Sequence, residues 1–172
     1  MSFAFGHLIG AWLLGKAIKY FSKKKISHWG WFFLLLGGIL PDADFLLDFL
    51  WGSELHRTFT HSLFFLLVAP LIIYGILALL KNKEKNTLPL LLGSGILVHL
   101  FLDMFYFPGV PLFWPDLHHF MYTQILLIDP ATTGLFYGTK EQLVHSLKLA
   151  VIDMGLGALW IFYLWFRKKI KF

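Results

Sequence analysis

The sequence predicts an all-α membrane protein: a polytopic bundle of about five transmembrane helices, with the N-terminus outside and the C-terminus in the cytoplasm. Three observations predict it. Of 172 residues, 58% are hydrophobic and only 15% charged, where a soluble domain carries about 25% charged residues. The apolar residues fall in long runs rather than as one stripe per helix; Leu88 to Leu102 holds a single ionisable residue, His99. With their flanks, such runs are long enough to cross a hydrocarbon core about 30 Å thick. Finally, the basic residues cluster between these runs in a pattern that gives the bundle a direction. No polar linker or Pro/Ser-rich tract divides the chain, so residues 1–172 read as a single membrane-embedded domain.

Five spans are expected, at roughly 3–21, 28–50, 58–80, 88–107 and 141–166. The first has no basic residue ahead of its apolar stretch, its lysines following at Lys16, Lys19 and Lys23 to Lys25, so it is not expected to be a cleaved signal peptide. The second ends in Leu40-Pro41-Asp42-Ala43-Asp44. Pro41 is expected to push Leu40 out of helical geometry, and the resulting break can present both carboxylates inward. The third opens on Leu55-His56-Arg57-Thr58-Phe59-Thr60-His61-Ser62, which puts His61 about one turn inside the helix and His56 on the loop before it. The fourth carries His99 and Asp103, at i and i+4 on one face. Between it and the fifth lies an aromatic segment punctuated by Pro and Gly, Pro108 to Gly138, expected to fold over one end of the bundle. The fifth span carries Asp153 in its middle.

Lysine and arginine orient the bundle. Five lysines lie between Lys16 and Lys25, three more at Lys81, Lys83 and Lys85, and four basic residues at Arg167, Lys168, Lys169 and Lys171. With five spans these clusters share one side, which the positive-inside rule makes cytoplasmic. The net charge of +5 therefore suits anionic lipid headgroups and not nucleic acid. Acidic residues and histidines go the other way. His7, His56, His61, His99, His118, His119 and His145 map outward, as do eight of the ten acidic residues. Four helices thus bring ionisable groups to one level, although only Lys and Arg were used to orient them.

Each motif has a plain reading beside the chemical one. Pro41-Asp42 alone is also an ordinary helix-ending turn facing water. An ionised carboxylate near hydrocarbon, however, costs several kcal/mol unless it is paired or bound to a cation. Arg57 is the only basic residue in its loop; its planar fork suits a phosphate, or it snorkels to headgroups. His99-x3-Asp103 is the sharpest signal, since a histidine and an aspartate share one face inside an apolar run. His7 and His145 lie near the outer ends of the first and fifth spans.

Asp42, Asp44, His56, His61, His99 and Asp103 together exceed the three protein ligands plus water that catalytic zinc usually takes. The surplus allows two metals, or one metal and a separate base. Imidazole with carboxylate suits zinc, with manganese or iron as alternatives. The chain has no cysteine, hence no disulfide, thiolate ligand or cysteine nucleophile. It also has no HExxH, Gly-rich nucleotide loop or GxSxG elbow.

These motifs, in this order, resemble the YdjM family of LexA-regulated inner-membrane proteins described as metal-dependent hydrolases. The matching elements are Gly6-His7, Leu40-Pro41-Asp42-Ala43-Asp44, His56-Arg57-x-x-Thr60-His61-Ser62, His99-x3-Asp103 and the run from Pro108 to Pro115. More distantly, the order of Asp, His and HxxxD is similar to the zinc-dependent phospholipase C group. That group has a further HxxxE, where this chain has His145 and Leu149. The resemblance implies an all-helical metallohydrolase acting on a phosphoester.

The expected function is a membrane hydrolase that cleaves a lipid or lipid-linked phosphoester at the extracytoplasmic face of the cytoplasmic membrane. Asp42 or Asp44, His61, His99 and Asp103 would hold one or two divalent ions, with His7 and His56 completing the site. Arg57 would bind phosphate, and a remaining carboxylate such as Asp44 would act as base. Two alternatives stand beside this reading: a cation or proton transporter using the intramembrane His and Asp residues, and a non-catalytic scaffold stabilised by metal.

Overall fold

A computed structural model describes residues 4–51, 58–105, 109–117, 121 and 140–167. Among these residues are six α-helices: α1 (Ala4–Ser22), α2 (His28–Ile39), α3 (Asp44–Trp51), α4 (Leu63–Leu79), α5 (Thr87–Asp103) and α6 (Lys140–Phe166). Two 3-10 turns, Pro41–Ala43 and Phe59–His61, stand just before α3 and α4. The described residues contain no strand, only an isolated bridge between Val110 and Met121. The expected all-α fold class holds; the first, fourth and fifth runs are helical within a few residues of their expected bounds, the second is divided into α2 and α3, and the third becomes helical only at Leu63.

The second run departs from expectation in an instructive way. Leu40 keeps right-handed helical geometry, with φ −61° and ψ −39°, and its N–H still donates to Leu36 O at 2.8 Å. The break comes one residue later, because Pro41 has no N–H to continue the ladder. The chain tightens into the Pro41–Ala43 turn, with Ala43 N–H donating to Leu40 O at 3.1 Å, and restarts as the eight-residue α3. His61 differs too. It lies in the 3-10 turn ahead of α4, not one turn inside it, because Ser62 adopts an extended conformation and caps that helix.

Apolar helices approach closely only where small residues let backbones meet, and the core is organised around one such crossing. On α2, a Cβ at Gly37 would lie 2.2 Å from Leu92 O of α5; on α5, a Cβ at Gly95 would lie 2.2 Å from Leu34 O. Leu34, Leu92, Ile96 and Leu100 are fully buried around this contact. α1 packs on α2 through Ala11 and Gly15, and α4 packs on α5 through Leu66 and Ile73. α6 lies along α1 in parallel, with Phe5 against Gly157 and Trp12 against Trp160 and Tyr163.

The outward surface is apolar. Leu71, Leu90 and Leu159 are each about two-thirds exposed, on a scale that soluble monomers avoid. Leu147–Phe166 of α6 is the one stretch among the described residues that is by itself long and apolar enough to cross a membrane. α2 has 12 residues and α4 and α5 have 17 each, hence lengths of roughly 18 and 26 Å. Five full-length crossings were expected; α2 and α4 are shorter because breaks at Pro41 and Ser62 replace their turns at one end of the bundle.

Lysine turns close the other end. α4 ends in a Schellman motif, with Asn82 N–H donating to Leu77 O, Lys81 N–H to Ala78 O, and Lys81 at φ 52°. Lys23 follows α1 with a φ of 56°. Both lysines adopt the left-handed conformation that ends a helix, where a cation also complements the macrodipole.

Candidate metal centre

The end of the bundle opposite the lysine turns carries the chemistry. Four elements deliver it: the first turns of α1, the break after α2, the 3-10 turn before α4, and the last turn of α5. α5 brings His99 and Asp103 to one face, as their spacing predicts. The Pro41–Ala43 turn brings Asp42 beside them, and the Phe59–His61 turn brings His61. His61 and His99 have no exposed surface and Asp103 is 1% exposed, whereas the Asp42 side chain retains 12%.

The spacing of their donor atoms is informative. His61 Nε2 lies 3.3 Å from His99 Nε2, 3.4 Å from Asp103 Oδ2 and 3.5 Å from Asp42 Oδ1. His99 Nε2 lies 3.6 Å from both Asp42 Oδ1 and Asp103 Oδ2. These separations exceed the usual N–H···O range of about 2.7–3.2 Å. These five match five of the six edges of a tetrahedron, about 3.3–3.6 Å when the bonds from its centre are about 2.0–2.2 Å long, as metal bonds to imidazole and carboxylate are. Asp42, His61, His99 and Asp103 each offer one ligand atom within 4.8 Å of the others, so the group is able to hold a metal ion.

The surrounding groups turn both imidazoles the right way. His99 Nδ1 lies 2.8 Å from Gly38 O. A carbonyl only accepts, so Nδ1 carries the proton and Nε2 presents its lone pair to the group of four. Gly38 is at the α2–α5 crossing, and so the packing that builds the core also fixes this tautomer. For His61, Thr60 Oγ1 donates to Asp44 Oδ2 at 2.5 Å and lies 3.0 Å from His61 Nδ1, free to accept its proton. Metal-binding histidines are commonly held this way through their second nitrogen.

Asp44 and His7 therefore stand behind the four rather than among them. Asp44 Oδ2 is 3.5 Å from His61 Nδ1, on the far side of the ring from the donor group, and the residue is 1% exposed. The 3-10 turn places Thr60 in contact with both, so that Asp44 meets His61 at its Nδ1 side. His7 Nε2 lies 3.2 Å from Asp103 Oδ1, while Asp103 Oδ2 faces the other ligands. The His7 ring stacks on His99 with centroids 4.1 Å apart. His7 thus holds the outer oxygen of Asp103 and braces His99.

His56 and Arg57, expected at the site, lie outside the described residues, as do His118, His119 and the side chain of His145. Sequence reasoning assigned no role to Thr60 or Gly38. Thr60 had a usable signal, since a hydroxyl directly precedes the ligand His61. Gly38 acts through its carbonyl, which no side chain announces.

The segment 109–117 closes over the start of α4. Leu63 N–H donates to Leu112 O at 2.9 Å, and Val110 and Pro111 are buried. Trp114 packs against Phe59 and Phe64 on either side of His61 in the chain. Ser62, whose Oγ accepts from Phe65 N–H at 3.3 Å, completes the cap. The described part of the Pro108 to Gly138 segment thus folds over one end of the bundle, as expected.

A family model described as YdjM inner membrane protein matches residues 1–170. The chain belongs to that family, and the match extends past the motifs from residue 6 to 115 on which the resemblance rested. No curated protein and no solved structure gives a significant match.

Proposed function

We propose that this member of an inner-membrane family is a zinc-dependent hydrolase that cleaves a lipid or lipid-linked phosphoester at the extracytoplasmic face. The observation that carries the reading is the set of donor separations, 3.3–3.6 Å among His61, His99, Asp42 and Asp103. Two imidazoles with two carboxylates are a donor set that suits zinc, with manganese or iron as alternatives.

Zinc bound there would supply a water acidified toward neutral pH and a Lewis acid for a phosphoryl oxygen. The protein's own residues do the rest. Gly38 O and the Thr60–Asp44 pair hold the two imidazoles as Nε2 donors. Asp42 is the most exposed of the four; with Oδ1 in the donor group, its second oxygen would be the base that accepts the proton of the attacking water. Arg57, two residues ahead of the Phe59–His61 turn in sequence, would bind the phosphate through its planar fork. Apolar helix surfaces around the site keep bulk water away and admit acyl or isoprenoid chains. The lysine turns at the opposite end support an extracytoplasmic site through the positive-inside rule.

A second reading has an observation of its own. Four protein donors from Asp42, His61, His99 and Asp103 would be enough to close a tetrahedral site, as in structural zinc sites, whereas catalytic sites keep a position open. A metal-stabilised, non-catalytic bundle would show that pattern. The two part company on turnover. Detergent-purified protein, stripped and reloaded with one zinc, is incubated with phosphatidate, a lipid pyrophosphate and phosphatidylglycerol, and released phosphate or headgroup is measured. The hydrolase reading expects zinc-dependent turnover lost in Asp42→Asn and reduced in Arg57→Ala. Zinc binding with a raised melting temperature but no turnover on any of the three selects the scaffold.

A further inference from the structure

Asp153 sits in the middle of the longest apolar helix, and neither the metal centre nor the lipid-facing surface explains it. Its residue exposure is 7%. Both carboxylate oxygens accept from the first turn of α1: Phe5 N–H donates to Oδ2 at 3.1 Å and Gly6 N–H to Oδ1 at 2.8 Å. One turn further along α6, Gly157 receives the Phe5 ring; a Cβ there would lie 2.4 Å from it. Asp153 and Gly157 therefore form a seat, at i and i+4, for the start of a second helix.

The physics of the seat is strong. The first four N–H groups of a helix have no partner within it. In hydrocarbon each costs several kcal/mol if unsatisfied. The carboxylate satisfies two of them and complements the positive end of the helix macrodipole. In return, two backbone donors stabilise a buried acid. An asparagine could accept one bond but not two on equal terms, and it carries no charge.

The next residue along α1 is His7, whose Nε2 lies 3.2 Å from Asp103 Oδ1 and whose ring stacks on His99. The chain of contacts is short: Asp153 to Gly6 N–H, His7 to Asp103, and Asp103 Oδ2 to the donor group. Among the described residues α6 packs chiefly on α1, through this strip, so α6 helps to fix the α1 first turn beside the contacts that α1 makes with α2 and α5.

We propose that Asp153 is a positioning residue for the metal centre, clamping the first turn of α1 so that His7 holds Asp103 in ligating orientation. The inference rests on the metal-site reading above. It gives α6 a role beyond membrane anchoring, and it assigns Asp153 to architecture in place of a cation or proton relay, since both its oxygens are engaged by backbone.

Cobalt(II) titration of the full-length protein in detergent tests it, because tetrahedral cobalt reports affinity and geometry in one visible spectrum. Wild type, Asp153→Asn, Asp153→Ala, His7→Phe and the double variant Asp153→Asn/His7→Phe are compared, with thermal unfolding as the fold control. Loss of an outer-shell partner typically weakens metal binding by about 10–100-fold. A loss of about 10-fold with a shifted cobalt band is expected for Asp153→Asn. In the double variant Asp153→Asn should add little to His7→Phe, because it acts through His7. If Asp153→Ala does not fold, Asp153→Asn and the double variant carry the test. Wild-type affinity and spectrum in Asp153→Asn, or losses that simply multiply in the double variant, overturn the proposal while leaving the metal site standing. No cobalt binding by wild type overturns the metal reading itself.

Discussion

The α2–α5 and α1–α6 contacts are both close, but they are built from different materials. α2 and α5 meet backbone to backbone, Gly37 against Leu92 O and Gly95 against Leu34 O. α1 and α6 meet through side chains: a carboxylate on backbone N–H groups, a phenyl ring on glycine, and Trp12 edge-on to Trp160 and Tyr163. Backbone cannot step aside, whereas a ring or an indole can turn. The first contact carries His99 and Gly38, whose carbonyl fixes the imidazole that presents Nε2 to the donor group. The second carries His7, which only has to brace what is already placed. The molecule has put its stiffer joint under its ligands.

The largest effect should follow from breaking the stiff joint. Gly95→Ala places a methyl 2.2 Å from Leu34 O and 2.8 Å from Gly38 N, so the helices must separate or the chain must fail to fold. A loss of about 3 kcal/mol is expected in reversible unfolding in detergent, at the upper end for overpacking, along with loss of metal binding. A wild-type melting temperature would mean the crossing is not the core of the bundle.

Next comes the clamp behind His61. Thr60→Val removes the bond to Asp44 and the acceptor for His61 Nδ1 at nearly constant shape. Zinc affinity, read by competition with a chromophoric chelator, should fall about 10–100-fold. A smaller fall than that of Asp153→Asn would reverse the ranking of the two supports.

The softer joint should forgive more. The nearest atoms that Gly157→Ala meets belong to the Phe5 ring, with Cγ at 2.4 Å; the side chain must swing about χ1 to clear it, and a cost of about 1–2 kcal/mol is expected. Metal affinity should shift in the same direction as for Asp153→Asn. Smallest of all is Gly75→Ala. It faces open space within α4, and the helix-propensity gain of about 0.8 kcal/mol sets the upper limit to any change. A cost like that of Gly95→Ala would show that α4 is buried against a partner at this point.

Much of this was legible from residue types and spacing. His99 and Asp103 share a face because 3.6 residues make a turn, and they do so with no help from the rest of the fold. The lysine clusters lie together because helices alternate in direction, so the opposite ends had to collect the histidines and aspartates. Other features depend on tertiary detail that a sequence pattern does not encode. Leu40 keeps helical φ and ψ despite the following proline, because its own N–H still reaches Leu36 O. Whether Asp42 or Asp44 faces the donor group is decided by a single 3-10 turn, which rotates neighbouring aspartates to opposite sides of His61. Asp153 read as an isolated acid within an apolar span; its partners are backbone N–H groups 147 and 148 residues away, and every residue but proline has such a group.

The central claim is that His61, His99, Asp42 and Asp103 bind one metal ion. X-ray absorption at the zinc edge, on protein stripped and reloaded with one equivalent, tests it most directly, with elemental analysis of His99→Ala and Asp103→Ala alongside. The account predicts one retained zinc per chain, ringed by imidazole nitrogen and carboxylate oxygen at about 2.0–2.1 Å, and loss of the ion in both folded variants. No retained zinc, or a shell without imidazole that both variants leave unchanged, would contradict it.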